Sequence, residues 1–334
     1  MKYDIFDEQR LARQLEIQKR KSWDFDKDIE WSRGIDLSKF LLPLDNKKSI
    51  LPNASANETR VISQLMGLVV ASTISQLEDV ACKLKGPVWE NFLNKHPVNP
   101  ELYSLGEQFF EEEKKHSRTF TRYIDMFANE VNVDPSDLKE LLPSTNDSLV
   151  EKIYTLNSNL GGMAMWWLIS AVEEEAIMFY HLINEVKTDI DPLYYQIHRC
   201  HFEEEVRHKS YAEMMLEVHG QFANGPSSKL FKKIDFIIAE VLNMSWTFKQ
   251  LIKIKKLKKF KNHHEFFHTL ERCLDHINEM SYHQLIYTLF TSTPYVSHTL
   301  HLSEHSHVKE MLTRYNSFNL PIPGSKLGDV KCTV

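Results

Sequence analysis

The stretch from His201 to His208 (HFEEEVRH) constrains this chain most, because it puts ionisable side chains on an otherwise apolar helix face. Read as an α-helix, it places His201, Glu205 and His208 on one stripe, since residues three and four apart are neighbours on a helix surface. Apolar side chains continue that stripe: Ile197, Ala212 and Met215. Burying such polar groups without partners costs about 2 kcal/mol or more each. We therefore expect a metal ion to satisfy them, with further ligands from other helices.

The composition is typical of a soluble globular protein built from long helices. The chain has 334 residues, of which 42% are hydrophobic and 26% are charged, and this length is enough for a large core. Ten glycines and twelve prolines are few for the length, which favours long helices over many short strands. The net charge of −6 gives no sign of nucleic-acid binding.

The sequence predicts a cytoplasmic protein that does not cross a membrane. The four cysteines are far apart and form no C-x-x-C pair, and the N-terminus is charged where a signal peptide would be apolar. Two long uncharged runs, 61–77 and 153–172, contain polar residues and are followed directly by glutamate. We interpret both runs as buried helices, because a membrane span needs about 20 mainly apolar residues.

Hydrophobic periodicity and helix-breaking residues predict four long helices, over about 58–85, 101–130, 148–186 and 192–219. Asn57 or Ser55 is predicted to cap the first helix, and Gly86-Pro87 to end it. Gly161-Gly162 lies inside the third, where it predicts close packing or a bend. A charged helical segment precedes the four helices. We predict a single domain over 1–334, divided as follows: a four-helix core at about 57–220, additional helices at about 226–312 and an extended tail at about 315–334.

Each of the four long helices offers side chains that bind metal ions. The first carries Glu78 among apolar neighbours. The second carries Glu113 and His116, an E-x-x-H pair one helical turn apart. The third carries Glu174, although Glu173 and Glu175 also lie near apolar residues and periodicity does not choose among the three. The fourth carries the stretch His201 to His208.

This ligand order is that of the ferritin-like di-iron and di-manganese bundles, which use one glutamate from each of two helices and E-x-x-H from each of the others. Carboxylates and imidazoles suit iron or manganese, and four glutamates balance the charge of two divalent ions. The sequence therefore predicts an all-α protein with a ferritin-like four-helix bundle core, additional N- and C-terminal helices, and a buried site for two metals.

His201, one turn before Glu205, departs from the usual pattern of such bundles. In this respect the sequence resembles the p-aminobenzoate N-oxygenase family of arylamine oxygenases, which has an additional histidine at that place. The separations agree as well, with 35 residues from Glu78 to Glu113 and 31 from Glu174 to Glu205, and this spacing favours Glu174 on the third helix. The resemblance covers about residues 57–220.

The resemblance implies a non-haem di-iron oxygenase that activates O2 as a peroxo species and oxidises the nitrogen of an aryl amine. Two glutamates would bridge the irons and the other ligands would bind one iron each: Glu113 and Glu205 as bridges, Glu78 and His116 on one iron, and Glu174, His201 and His208 on the other. Electrons must come from an external donor, because the sequence has no G-x-G-x-x-G motif. Some relatives act on carrier-bound substrates, and such bundles often form homodimers.

Three other functions fit the same residues. The site could hydroxylate or desaturate carbon, handle iron or peroxide as ferritins do, or hold zinc or manganese in an inactive scaffold. Lys249–Lys261 is most simply a solvated helix face, with docking of an acidic carrier protein as the alternative. Three spaced histidines near the C-terminus are interpreted as surface or core residues in preference to a second metal site: His298, His301 and His305.

Overall fold

The computed structural model describes residues 8–42, 51, 53–96, 98–142, 147–222, 234–235, 237–238 and 264–281. These residues are mostly helical and contain no strand, which confirms the predicted all-α class. Several predicted features lie outside the described residues: Lys249–Lys261, the histidines at 298, 301 and 305, the tail from about 315 and most of the additional helices at 226–312. The single-domain organisation stays a prediction.

The helices follow one another as α1 (Glu8–Lys21), α2 (Ala56–Leu84), α3 (Asn91–Lys95), α4 (Pro100–Glu130), α5 (Pro135–Leu141), α6 (Asp147–Asn159), α7 (Ala164–Glu185), α8 (Pro192–Phe222) and α9 (Glu265–Glu279). A 3₁₀ turn at Trp31–Arg33 and a π-helical turn at Lys85–Glu90 accompany them. The predicted first, second and fourth long helices correspond to α2, α4 and α8.

Ser55, one of the two predicted caps, begins α2. Its hydroxyl accepts a hydrogen bond from the backbone N–H of Glu58, and the Glu58 carboxylate accepts one from the backbone N–H of Ser55 at 2.8 Å. This reciprocal capping box satisfies two backbone donors that the first turn leaves unpaired. The α-helix ends at Leu84, close to the predicted end at Gly86-Pro87, and a π-helical turn then carries the chain past the proline and into α3.

The prediction of one helix over 148–186 is also wrong, because the chain breaks between α6 and α7. Gly161 has a φ of +84°, a backbone conformation that favours glycine. A Cβ atom on Gly162 would lie 2.2 Å from the side-chain nitrogen of Asn157. Because Gly162 has no Cβ atom, the Asn157 side chain fits beside it, and its oxygen accepts a hydrogen bond from the backbone N–H of Ala164 at 3.1 Å. The break lets α6 pack against α2 as well as α7.

Two hydrophobic clusters lie along α2, α4, α7 and α8, on either side of a band of buried acidic and histidine residues. From α2, residues between 61 and 74 belong to the first cluster and residues between 80 and 84 to the second. From α4, residues between 102 and 110 belong to the second cluster and residues between 120 and 128 to the first. The two helices are therefore antiparallel, and they pack against each other.

The order of the two clusters along α7 and α8 gives the directions of these helices in the same way. In α7 the second cluster comes before the first along the chain, and in α8 the first comes before the second. These two helices are therefore also antiparallel and packed together, and α8 packs against α4. α1 lies against α4 and α8, and α9 lies against α2. The polar band thus lies at the middle of four long helices, with an apolar layer above and below it.

The described residues contain one helical stretch, Ala56–Lys95, that is long and apolar enough to span a membrane, and 67% of its apolar window is buried inside the protein. The core helix of a soluble protein passes the same test. Cys82, Cys200 and Cys273 are free thiols.

Candidate metal centre

Six of the predicted ligands meet in the polar band, and each is at most 5% exposed: Glu78, Glu113, His116, His201, Glu205 and His208. They form two overlapping groups in which one ligand atom of each residue lies within 4.8 Å of the others. The first group contains Glu78 and His201, the second contains Glu113 and His208, and both contain His116 and Glu205. Each group could hold a metal ion.

Glu205 lies between the two groups. Its Oε1 is 2.7 Å from His201 Nε2 and 3.0 Å from His116 Nδ1, whereas its Oε2 is 3.3 Å from His208 Nδ1. The two oxygens of one carboxylate therefore face different groups, as in a ligand shared by two ions. His201 Nε2 is also 2.8 Å from Glu78 Oε1. The resemblance implied that His201 shares an ion with His208, but the geometry puts its ring nitrogen beside Glu78.

Several ligand-type atoms at the centre of the band form no hydrogen bond with any described residue: Glu78 Oε2, Glu113 Oε1, His116 Nδ1, both carboxylate oxygens of Glu205 and His208 Nδ1. Several of them lie within 3.3 Å of a carboxylate or imidazole atom, but not in hydrogen-bond geometry. A buried polar atom without a hydrogen bond costs about 1–3 kcal/mol, so a cluster of them in one place needs a compensating interaction. Carboxylate oxygens and imidazole nitrogens suit iron or manganese better than they suit copper(I). The residues therefore fit the metal site that the sequence predicted.

The pKa values of the band reflect closely spaced negative charges. Burial raises the pKa of Glu78 to about 7. Burial alone would lower the pKa of His116, but the charges of Glu205 and Glu204 raise it to about 10. The pKa of His208 is raised in the same way by Glu205 and Glu113, again against the effect of burial. Metal cations compete with these protons, because a histidine must be neutral to bind a metal.

Two carboxylates that were not among the predicted site residues hold the outer nitrogens of two imidazoles. His116 Nε2 lies 2.6 Å from Glu204 Oε2, and His208 Nε2 lies 2.9 Å from Glu112 Oε2. The contacts cross between helices, because each histidine is held by a glutamate of the other helix. Histidine ligands commonly donate their second N–H to a carboxylate, which fixes the ring and raises the basicity of the inner nitrogen. Both Nδ1 atoms are thereby left for a metal.

A repeated pattern in the sequence could have identified these two carboxylates. Both α4 and α8 carry E-E-E-x-x-H, at 111–116 and at 203–208. In each copy the first glutamate is exposed and the other two are buried. The second glutamate holds the histidine of the other helix, and the third belongs to the metal-binding groups. The same motif on two packed antiparallel helices predicts this reciprocal arrangement.

Gln18 and Trp23 of the N-terminal segment, together with Lys115 of α4, donate hydrogen bonds to the outer carboxylates. Glu204 Oε1 accepts hydrogen bonds from the Trp23 backbone N–H at 3.1 Å and from Lys115 Nζ at 2.7 Å. Glu112 Oε2 accepts one from the side-chain amide of Gln18 at 3.0 Å. The hydrogen bond with His116 and the charge of Lys115 lower the pKa of Glu204 to about 2, although burial opposes this. The carboxylate is therefore held in its charged form.

Glu174 is the predicted ligand that the structure does not bring to the two groups. Its Oε2 lies 2.7 Å from Lys209 Nζ, and its side chain is 16% exposed. Glu173, an alternative that the sequence left open, is only 5% exposed. Burial raises the pKa of Glu173 well above its ordinary value, and the nearby charges of Glu205 and Glu113 raise it further. Glu173 is therefore the third-helix carboxylate that lies beside the candidate ligands.

A pocket adjoins the metal-binding groups between α2 and α7, with α6 also contributing to its wall. The space between its atoms is about 610 Å³, a figure that includes the open mouth. Most lining residues are apolar, among them Leu77, Val80, Leu168 and Val172. Four polar lining residues belong to the band: Glu78, Glu113, Glu173 and His201. An organic molecule in the pocket would therefore touch the candidate metal centre.

Replacing either outer carboxylate by its amide, as Glu112→Gln or Glu204→Gln, should weaken metal binding, measured with iron(II), by about 10- to 100-fold. Glutamine keeps the shape but loses the negative charge that orients the opposite imidazole. Anaerobic competition with a chelator of known affinity measures the change. The exposed first glutamates of the two motifs give matched controls, Glu111→Gln and Glu203→Gln. An equal loss of affinity in the controls would contradict the assigned role.

Comparison of the chain with protein-family models, with curated proteins and with solved structures finds no match in any of the three.

Proposed function

We propose that the protein is a non-haem di-iron oxygenase with a ferritin-like core, which uses O2 to oxidise the nitrogen of an aryl amine. The observation that carries the proposal is that six buried ligand side chains form two overlapping groups beside an apolar pocket. Two groups that share His116 and Glu205 suit a pair of neighbouring ions better than one isolated ion.

The helix directions support a ferritin-like bundle. α2 and α4 form one antiparallel pair and α7 and α8 form another, whereas α4 and α7 run the same way. The chain from α4 to α7 must therefore return along the length of the bundle, and α5 and α6 lie in this long connection. Ferritin-like folds have one long crossover of this kind.

We propose iron as the resident metal, which the six residues of the two groups would hold, with Glu173 as the seventh ligand. Two ferrous ions held there would supply electrons for the reduction of O2. Glu112 and Glu204 keep two imidazoles in position through their outer nitrogens. The apolar walls of the pocket exclude water from the substrate side of the site. An external donor must restore the reduced state.

The apolar pocket favours an organic substrate over storage of iron, because mineral storage needs a hydrophilic route for ions. Oxidation at nitrogen is proposed because the additional histidine, His201, makes the sequence resemble the p-aminobenzoate N-oxygenase family. Oxidation at carbon would use the same ligands. Presentation of the amine on a carrier protein, a cytoplasmic location and a homodimer stay predictions from the sequence.

The first test is the metal content and the reaction of the purified protein. After growth in iron-replete medium, we expect two iron ions per chain by elemental analysis. The chemically reduced protein is then mixed with a panel of aryl amines and O2, and products are identified by mass spectrometry. Hydroxylamine, nitroso or nitro products support the proposal. Products oxidised only at carbon would replace it with a hydroxylase, and zinc or manganese in place of iron would contradict it.

A further inference from the structure

Tyr154 on α6 gives the apolar pocket a polar group that no described residue satisfies. The side chain is 1% exposed and lines the pocket. Its hydroxyl oxygen has no hydrogen-bond partner among the residues that the structure describes. A buried hydroxyl without a partner is destabilising, so its presence in a binding pocket indicates that a bound molecule completes it.

The protonation state of Tyr154 determines which kind of partner it can serve. Burial raises the pKa of its hydroxyl well above the ordinary value, so the group stays protonated at neutral pH. A protonated phenol donates a hydrogen bond readily, whereas its oxygen is a weaker acceptor than a carbonyl oxygen. The matching group on a ligand is therefore a hydrogen-bond acceptor, such as a carbonyl, ether or nitro oxygen.

The lining also determines the charge that the pocket accepts. The described lining residues include no lysine and no arginine, and their charged members are the glutamates of the metal centre and His201. A carboxylate held against the apolar wall would lose its water without gaining a cationic partner, which is strongly unfavourable. The pocket therefore selects against an anionic substituent.

We propose that the pocket binds a neutral aryl amine that carries one hydrogen-bond acceptor, and that the Tyr154 hydroxyl recognises this acceptor. The proposal rests on the proposed function in taking the pocket as the substrate site. Tyr154 acts as a specificity residue, and the ring of the ligand packs against the apolar side chains of α2 and α7. The acceptor distinguishes the substrate from a plain alkyl-substituted amine of the same shape.

The test measures binding without turnover, using the iron(II)-loaded protein under anaerobic conditions and isothermal titration calorimetry. The probes are aminoacetophenone and isopropylaniline, each as the 3- and 4-isomer, because acetyl and isopropyl groups are similar in size but only acetyl accepts a hydrogen bond. 4-Aminobenzoate provides the anion. The variants are Tyr154→Phe and, as a matched control outside the pocket, Tyr103→Phe, which removes a hydroxyl from an exposed ring stacked on Trp89.

We expect the acetyl compound to bind more tightly than its isopropyl partner in at least one isomer series, and Tyr154→Phe to reduce that ratio by about fivefold. Tyr103→Phe should leave the ratio unchanged, and 4-aminobenzoate should bind at least about tenfold more weakly than 4-aminoacetophenone. An unchanged ratio in Tyr154→Phe, equal binding of the anion, or no binding of any neutral probe would overturn the proposal. Neutral probes that bind through Tyr154 but return unoxidised after O2 would instead contradict the proposed function alone.

Discussion

Replacing Glu205 by alanine is expected to reduce the iron content from two ions per chain to less than one and to abolish amine oxidation. Glu205 belongs to both ligand groups, and its two oxygens face different histidines. Its removal therefore takes a ligand from both ions at once. The loss should exceed the 10- to 100-fold expected for the outer carboxylates, which do not touch the metal. Elemental analysis and product assays on the same preparation measure both effects.

The neighbouring residue gives a matched control for this substitution. Glu203→Ala removes a carboxylate from an exposed position two residues earlier in α8, and it should leave metal content and activity unchanged. Circular dichroism of both variants tests whether the helices are retained. A Glu205→Ala protein that is folded and still holds two irons would show that Glu205 is not shared between two ions.

Substitution of Glu173 by glutamine should lower both metal affinity and activity, whereas the same change at Glu174 should affect neither appreciably. Glu173 is buried beside Glu205 and Glu113, and Glu174 is paired with Lys209. The amide of Glu173→Gln removes one negative ligand from the centre. Glu174→Gln removes a partly exposed ion pair with Lys209, and such pairs contribute about 0–1 kcal/mol. Chelator competition and product assays on the two variants measure the difference.

Glu173→Gln and Glu174→Gln are adjacent and chemically identical changes, so each serves as the control for the other. The reverse result, with iron lost in Glu174→Gln and retained in Glu173→Gln, would restore the ligand that the spacing of the resembling family favours. Equal losses in both variants would indicate a general disturbance of α7, which thermal unfolding of the metal-free proteins would detect.

The convergence of α4 and α8 could be predicted from the sequence because the E-x-x-H spacing fixes side-chain direction. Residues three apart lie on one helix face, so Glu113 with His116, and Glu205 with His208, must point the same way. Apolar residues flank the ligands on both faces, so packing the two faces against each other in the interior is favourable. Glu78 followed from the same reasoning, since apolar residues surround it on its own helix.

The third-helix residue could not be fixed in this way. One residue step rotates a side chain by about 100° around a helix, and Glu173, Glu174 and Glu175 all have apolar neighbours in the sequence. The pairing of Glu174 with Lys209 depends on how α7 packs on α8, which a linear pattern does not contain. The pocket could not be predicted from the sequence either, because it depends on the break at Gly161 that lets α6 pack against α2.

The contacts of Gln18 and Trp23 with the outer carboxylates have a consequence for work on shortened forms of the protein. A chain trimmed to begin at α2 would keep all the candidate ligands of the metal centre. It would nevertheless lose two of the hydrogen bonds that brace Glu112 and Glu204, and with them part of the rigidity of the two imidazoles. The rigidity of the centre therefore depends on the segment before α2 as well as on the ligands, and a core that lacks this segment should hold metal less firmly.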